Sequence, residues 1–418
     1  MSEDSIIRLY ILDSDRFKNA SAFLSQENYM KKNLFIIMFC LAIVLPNIVY
    51  YVFQDHFDTE NYENRAYAEM PAFTFENIEE IPEGLENYYM DRVPFKNEIK
   101  SVTSKVDVEL GKYRSLYEIL NGGLSGVTLG IDGWMYYTVN GESENSINEM
   151  FGRNMYSDDE LASISSMIKD TSDFFRNSGA EFIPYVVPNK EQVYDQYLPE
   201  TYQRHITNYT RANQLADYVN EHTDVKMIYP LDYMKKYRDS INLFYKYDTH
   251  WNQPGAFVGI QPILETVGIE AEEVTDQKFE KITPCYSNDL AKILNLQDSY
   301  TDDVDLVLVD YKPEIEVHAK DEEYSVPDNI VISVRYDSNA PDDREVVFIG
   351  DSFRNMLVGM QILPKYFSHV SIVSRYQEKQ LKDYFNKYNP DIVIYEMSER
   401  YVKDPETVYT GLVDLIRQ

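Results

Sequence analysis

The stretch EVVFIGDSF, residues 345–353, decides the fold of this 418-residue chain. Its first five residues form an apolar run typical of a buried strand, and residues 353–361 have the pattern of a helix. Ser352 therefore follows a strand and precedes a helix, which places its hydroxyl at the carboxyl end of a sheet strand. Open α/β sheets bind their ligands at this edge, so Ser352 is a candidate functional residue.

On both sides of this stretch, apolar runs typical of strands alternate with segments typical of helices. Further helices are predicted at 98–120, 157–177, 210–221, 252–267 and 377–388, and further strands at 181–187, 225–229, 369–373 and 391–397. This alternation predicts an α/β fold in which helices cover both faces of a parallel sheet.

Glycine-rich turns near residue 126 mark the predicted start of the compact domain, which covers 129–418. Residues 54–128 are predicted to form a stalk that ends in a first helix. Within the domain, residues 271–343 are acid-rich and less regular, so we expect a solvated insertion of short strands. The alternative is that this insertion shapes the substrate entrance.

An uncharged run of 21 residues, 33–53, predicts one transmembrane helix near the N-terminus, since about 20 apolar residues cross the hydrocarbon core as a helix. The alternative is a buried core helix. A cleaved signal peptide is less favoured, because 32 residues precede the run and its end offers no small-residue cleavage site.

The charges that flank this run predict its orientation. Lys31 and Lys32 precede it, whereas Asp55, Asp58 and Glu60 follow it. By the positive-inside rule, residues 1–32 are a cytoplasmic segment and almost everything after the run is extracytoplasmic.

The net charge of −31 excludes nucleic acid as an expected partner, because duplex binding needs a basic surface. The two cysteines, Cys40 and Cys285, lie inside and outside the predicted span, so the exported part is expected to have no intrachain disulfide. Neither a His-x-x-x-His pair nor a Cys/His cluster occurs, and no metal or cofactor is predicted.

A second chemical segment lies about a hundred residues before Ser352. Asp248 and His250 are two residues apart beside Trp251. In an extended or loop backbone the carboxylate can orient the imidazole through Nδ1 and leave Nε2 for a serine. The two segments together supply an acid, a base and a nucleophile for covalent acyl transfer, whereas residues 350–352 taken alone fit equally well as a helix N-cap.

The two segments also resemble a known family. Residues 247–252 (YDTHWN) followed by 350–353 (GDSF) resemble the SGNH-hydrolase-like O-acetyltransferases related to the alginate acetylation proteins AlgX and AlgJ, including the DHHW proteins. Supporting matches are residues 132–136, 187–190 and 390–393 with 399–400. The order Asp, His, Ser is that of this family, and Thr249 replaces the first His of the literal DHHW motif.

The resemblance implies an SGNH-like domain in which Ser352 is the acylated nucleophile, His250 the general base and acid, and Asp248 its orienting partner. Asn189 and Arg354 are candidates for the oxyanion site, and Trp251 is a candidate substrate contact.

The implied activity is that of a membrane-anchored, extracytoplasmic O-acetyltransferase acting on an exported or cell-wall polysaccharide. The resemblance also implies a multi-span membrane-bound O-acyltransferase as partner. The acidity of the chain favours a neutral glycan, since like charges repel. Two alternatives stay open: a carbohydrate acetyl esterase with the same three residues, and a catalytically inactive glycan-binding scaffold of an export machine.

Overall fold

A computed structural model describes residues 32–62, 66–73, 78–111, 126–137, 146–275, 278–282, 285, 287–301, 303–308, 317–325, 331–402 and 405–417. The chain divides into two compact units, Met1–Lys100 and Ser101–Gln418, and each is described by itself. The predicted cytoplasmic segment lies outside the described residues, except for Lys32.

The first unit contains helices α1 (Lys32–Val52) and α2 (Ile81–Asp91) and the start of α3 (Lys96–Gly111). By length and composition α1 is apolar enough to cross a membrane, although a signal sequence near an N-terminus has the same properties. The buried Asp91 carboxylate accepts the N–H of Ala68 at 2.7 Å, which ties the preceding extended segment to α2.

The second unit contains the other described helices and all of the described strands. The helices are α4 (Ser146–Met150), α5 (Asp158–Asn177), α6 (Lys190–Val193), α7 (Glu200–Gln203), α8 (Arg211–His222), α9 (Leu231–Tyr237), α10 (Gln253–Thr266), α11 (Asp289–Ile293), α12 (Asn355–Met360), α13 (Glu378–Lys387) and α14 (Pro405–Arg417). The strands are β1 (Val127–Leu129), β2 (Met135–Tyr137), β3 (Glu181–Val187), β4 (Phe279–Ile282), β5 (Asp305–Leu308), β6 (Val317–Ser325), β7 (Val331–Ser338), β8 (Asp342–Gly350), β9 (Phe367–Ser374) and β10 (Ile392–Ser398).

The main sheet has the strand order β3-β10-β8-β9-β7-β6. The first four strands are parallel, β7 is antiparallel to β9, and β6 is antiparallel to β7. The other described strands form two separate antiparallel pairs, β1 with β2 and β4 with β5. The carboxyl ends of β3, β10 and β8 therefore lie side by side at one edge of the sheet.

Helices cover both faces of the sheet, as the sequence predicts. On β3, Ile183 and Tyr185 pack in the cluster that contains α10, whereas Phe182 and Val186 pack with α5, α8 and α14. Neighbouring residues of a strand point to opposite faces, so nearly continuous apolar runs are needed to fill two cores. The predicted α/β fold is confirmed.

Two details differ from the prediction. The sheet is mixed, because residues 317–338 within the less regular segment form β6 and β7, which extend the sheet. Only five residues separate these strands, too few for a helical crossover, so they run antiparallel. Residues 225–229 form no strand but one bridge, between Ile228 and Tyr185, and Pro230 follows at once without an N–H to extend the pairing.

Candidate active site

The turn after β8 presents Ser352 to solvent while its support is buried. The Oδ1 of Asp351 accepts the N–H of Phe353 at 3.0 Å, and its Oδ2 accepts the N–H of Ser398 at 2.9 Å. Asp351 thus joins the turn to the end of the neighbouring strand β10, while the side chain of Ser352 stays exposed. A nucleophile needs this combination of fixed backbone and accessible hydroxyl.

A second buried acid lies beneath the same turn. Glu396 is fully buried, and its Oε2 accepts the N–H of Asp351 at 2.8 Å. Burial first, and the nearby Asp351 charge second, raise the pKa of Glu396 well above its ordinary value, which favours its protonated form. Gly350 is required here, because a Cβ at this position would lie 2.2 Å from Glu396 Oε2.

The segment that carries the predicted base, residues 244–251, is called the base segment, and it folds back on itself in a tight turn. Phe244 and Trp251 form an antiparallel bridge, and the N–H of Tyr245 reaches the carbonyl of His250 at 3.3 Å. Within the turn, Asp248 Oδ1 accepts the backbone N–H of His250 at 2.9 Å and lies 2.7 Å from its Nδ1. The short sequence separation of the acid and the base therefore becomes direct contact.

The two chemical segments meet at His250. Its Nε2 lies 2.7 Å from Ser352 Oγ, so Asp248, His250 and Ser352 form one continuous line of hydrogen bonds. The His250 side chain is 28% exposed, which leaves its ring at the boundary between the core and solvent. The structure thus brings together the three residues predicted from sequence.

The electrostatics of the pair suit proton transfer. Burial alone would raise the pKa of Asp248, but the His250 charge and the N–H groups that the carboxylate accepts lower it to about 2. Burial alone would lower the pKa of His250, yet Asp248 outweighs it and the pKa rises above the ordinary 6.5. The carboxylate is therefore ionised at neutral pH, where it can orient the imidazole and stabilise its charged form.

Lys190 supports this turn from below. Its buried ammonium group donates to the carbonyls of Asp248 at 2.6 Å, Tyr245 at 3.2 Å and Lys246 at 3.3 Å. Burial lowers the pKa of Lys190 to about 8, against the raising effect of Glu191 and other nearby acids. Residues 187–190 are one of the sequence matches to the family, and the structure explains this match: Lys190, the last of them, binds the backbone carbonyls of the base segment.

Asp289 was not predicted from the sequence, and it contacts the base segment directly. Its N–H donates to Asp248 Oδ2 at 3.0 Å, and its carboxylate accepts the N–H of Thr249 at 2.8 Å and the hydroxyl of Thr249 at 2.6 Å. Burial, followed by the Asp248 charge, raises the pKa of Asp289 to about 6. In the sequence, Asn288 and Asp289 indicate only a helix start, forty residues from the site.

The other three candidate residues are buried in the structure. Trp251 is fully buried, and its Nε1–H donates to the Phe353 carbonyl at 2.8 Å, so it ties the two segments together. Asn189 is buried, and its backbone N–H donates to Glu399 Oε2 at 2.8 Å. Arg354 is also buried and contacts Asn355, and burial lowers the pKa of its guanidinium to about 10.

Arg400 adds a partly exposed positive charge to the site. Its guanidinium lies over the ring of Phe353 at 5.9 Å and over that of Tyr137 at 5.4 Å. It opposes the rise in the pKa of His250 caused by the acids. The sequence match at residues 399–400 is thus a cation close to the base.

Asp248, His250 and Asp289 also lie close enough to hold a metal ion, since one ligand atom of each is within 4.8 Å of the others. Both oxygens of Asp248, however, accept N–H groups, and the oxygen facing His250 is 2.7 Å from Nδ1. An ion bound there would displace these donors. The hydrogen bonds therefore fit a proton-transfer group better than a metal site.

Comparison with known proteins shows which family part of the chain is similar to. Residues 127–323 match the family model described as the SGNH hydrolase-like domain of acetyltransferase AlgX. The matched range contains Asp248 and His250 and ends before Ser352. This finding confirms the resemblance inferred from sequence.

One curated relative is the probable alginate O-acetylase AlgJ of Pseudomonas putida KT2440, 25% identical over 245 residues. The match covers 54% of this chain and 58% of that protein, so the chain spans a little over half of the relative's length.

The solved structures similar to this chain include the following two. A DHHW family protein from Eubacterium siraeum is 13% identical, with 71% of this chain and 96% of that chain covered and a TM-score of 0.48. The O-acetyltransferase domain of Pseudomonas putida AlgJ is 19% identical, with 70% and 99% covered and a TM-score of 0.43.

Proposed function

Since residues 127–323 match the family model of the SGNH hydrolase-like domain of acetyltransferase AlgX, we propose that this chain transfers acetyl groups to hydroxyls of a polysaccharide through Ser352. The observation that carries the proposal is the unbroken line from Asp248 through His250 to the exposed Ser352, with both links at 2.7 Å. A line of this kind activates a serine that is a weak nucleophile by itself. It also favours an enzyme over an inactive scaffold.

In the first half-reaction Ser352 Oγ attacks the carbonyl carbon of an acetyl ester while His250 Nε2 accepts the hydroxyl proton. The tetrahedral intermediate collapses, the bond to the donor oxygen breaks, and His250 returns the proton to that oxygen. Ser352 is left as an acetyl ester. Asp248 remains ionised and stabilises the imidazolium at each stage.

In the second half-reaction a glycan hydroxyl replaces the departed donor. His250 accepts its proton, the hydroxyl oxygen attacks the acetyl carbon, and Ser352 leaves with the proton that His250 returns. We propose the backbone N–H of Ser352 as one donor to the oxyanion. Asn189 and Arg354 remain predictions for a second donor, and Trp251 a prediction for substrate contact.

The decisive experiment uses the full chain in detergent with an acetyl ester donor and an oligosaccharide acceptor. Ser352→Ala should lower the rates of ester cleavage and acetyl transfer by at least about 10³-fold, the scale on which triad residues act. Mass spectrometry of the intact protein should then detect no acetylated form. Ser178→Ala, at another exposed serine, is the matched control. Full turnover by the Ser352 variant would defeat the proposal.

Hydrolysis is the second candidate reaction, because the exposed Ser352 hydroxyl is open to water. The same acyl-enzyme would then yield acetate. Adding oligosaccharide at a fixed donor concentration separates the two reactions: a transferase diverts acetyl groups from acetate to the sugar, whereas an esterase releases the same acetate with or without it.

We further propose that α1 anchors the protein in the cell membrane, with the N-terminus in the cytoplasm and the catalytic unit outside. The apolar character of α1 and the charges flanking it support this topology. The relative is named for alginate, which supports an exported polysaccharide as substrate. A membrane-bound O-acyltransferase is the proposed source of acetyl groups, on the basis of the family resemblance.

A further inference from the structure

We propose that Asp289 is a positioning residue for the reaction: it holds Asp248 and Thr249 in the geometry from which His250 reaches Ser352. The inference rests on the proposed function for its kinetic consequences. The structural observation behind the inference is that Asp289 contacts two consecutive residues of the base segment, Asp248 and Thr249.

The backbone and the side chain of Asp289 act on different neighbours. The N–H occupies Asp248 Oδ2, which leaves Oδ1 for His250. The carboxylate accepts both donors of Thr249, the residue between the acid and the base. Rotation of the Asp248 carboxylate or of the Thr249 peptide would break at least one of these bonds, so the turn has little freedom.

Asp289 is itself held by a packed element. It begins α11, and the N–H groups of Leu290 and Ala291 reach the carbonyl of Tyr247 at 3.0 and 3.4 Å. Leu290, Ala291 and Tyr247 are buried in one apolar cluster with Met135 of β2. A side chain fixed on a packed element can hold a turn more accurately than one on a free loop.

The charge of Asp289 also acts on the base. Its Oδ2 lies 3.7 Å from His250 Nδ1, and it raises the pKa of His250 together with Asp248, while Arg400 lowers it. Lys190 is also close enough to Asp289 and Asp248 for their charges to raise its pKa. Asp289 therefore stabilises the imidazolium that forms whenever His250 accepts a proton.

The test is Asp289→Asn in the full chain, assayed for cleavage of a small acetyl ester over a range of pH. The backbone donor and one side-chain acceptor remain, but the charge is lost. We expect kcat to fall by about 10-fold, within the range that small misplacements cost, with KM nearly unchanged. The acidic limb of the kcat profile should move to lower pH, because removal of an anion lowers the pKa of His250 and keeps the base neutral in more acidic solution.

Asp298→Asn is the matched control, since it removes one charge from an exposed position in the same region and should shift neither kcat nor the acidic limb. If Asp289→Asn does not fold, Thr249→Val removes only the hydroxyl that donates to Asp289 and should still lower kcat several-fold. Unchanged kcat in whichever variant folds would overturn the proposal. Activity lost in chelator and restored by Zn²⁺ would also overturn it, because Asp289 would then be a metal ligand.

A readout that is independent of turnover separates this inference from the proposed function. The pKa of His250 can be followed by NMR in the full chain with ¹³C-labelled histidine, using His250→Gln for assignment. A lower His250 pKa in Asp289→Asn supports the electrostatic part even if no acetyl ester is cleaved. If the wild type is active and Asp289→Asn changes neither the pKa of His250 nor kcat, the inference is wrong. The proposed function is then unaffected.

Discussion

His250 should control the pH dependence of the reaction, because it acts only when neutral. Burial lowers the pKa of His250, but the charge and hydrogen bond of Asp248 outweigh burial and raise the pKa above 6.5. We therefore predict that kcat/KM for an acetyl ester rises with pH through an apparent pKa above about 6.5, as a steady-state pH profile would measure.

Asp248→Asn tests the cause of this limb. The variant removes the carboxylate that orients Nδ1 and should lower kcat by about 10⁴-fold, as loss of the orienting acid does in serine hydrolases. A limb that persists unchanged in this variant would assign the titration to a group other than His250.

The turn that presents Ser352 has no room for a side chain at Gly350. We predict that Gly350→Ala lowers the free energy of unfolding by roughly 1–3 kcal/mol, the cost of overpacking, because its Cβ would lie 2.2 Å from the carboxyl group of Glu396. Chemical denaturation of the two proteins measures the difference.

Gly359 provides the control, since an added Cβ there meets nothing within 4 Å. It lies in α12, where Ala exceeds Gly in helix propensity by up to about 1 kcal/mol. Gly359→Ala should therefore be neutral or stabilising. A Gly350→Ala variant as stable as Gly359→Ala would mean that movement of the turn relieves the crowding at Gly350.

At the level of single residues, local motifs allowed much of the site to be predicted. Asp248 and His250 are two positions apart, and Ser352 follows a strongly apolar strand, so each signal lies in a few neighbouring residues. Asp289 carries no such signal, because its role depends on the approach of α11 to a turn forty residues earlier. Trp251 was predicted as a substrate contact, and the structure adds that its ring is buried, which the sequence alone does not show.

At the level of elements, two helix N-caps differ in their distance from the chemistry. Asn252 caps α10 by accepting the N–H of Gly255 at 3.0 Å, and it follows Trp251 directly. Asn252→Ala should cost about 1 kcal/mol of stability and also lower kcat, since the cap fixes the end of the base segment.

Ser157 caps α5 and is the matched control, because its capping box with Glu160 lies on an exposed part of the chain. Ser157→Ala should cost a similar amount of stability with no change in kcat. Parallel thermal melts and ester assays compare the variants. Equal kcat for both would show that the α10 cap does not position the base.

Several of the longer helices and the parallel strands were predicted from the apolar pattern of their own residues. Helix α5 was expected at 157–177 and runs from Asp158 to Asn177, and β3 was expected at 181–187 and is found there. Short strands were expected within residues 271–343, but not that β6 and β7 would extend the main sheet, because strand pairing between distant segments leaves no local signal in the sequence.

At the scale of the whole molecule, charge should select the acceptor. A net charge of −31 repels polyanions and leaves neutral chains unaffected. We predict that a polyuronate acceptor has a higher KM than a neutral oligosaccharide at low ionic strength, and that salt lowers this KM by screening. A polyuronate KM that rises with salt would instead indicate an attractive basic groove.

Membrane attachment should depend on α1 alone. Replacing two central apolar residues of this helix by charge, as in Ile43→Arg with Leu41→Arg, should release the protein from membranes extracted with carbonate, since each Arg costs about 2.5–3.5 kcal/mol at the centre of a span. Ile99→Arg, an exposed apolar residue outside α1, is the control and should stay in the pellet. If the α1 variant stays in the membrane pellet, a segment other than α1 anchors the protein.

The pairing of β3 with β10 also sets the order in which this protein can be completed during synthesis. Glu181 pairs with Ile392, near the far end of the chain, and the strand that precedes Ser352 lies beside β10. Sheets built from such distant segments form late and slowly. The central strands can close only when β10 has been synthesised, because β10 lies between β3 and β8. A chain that ends before β10 therefore contains Asp248, His250 and Ser352 but leaves β3 open to other strands.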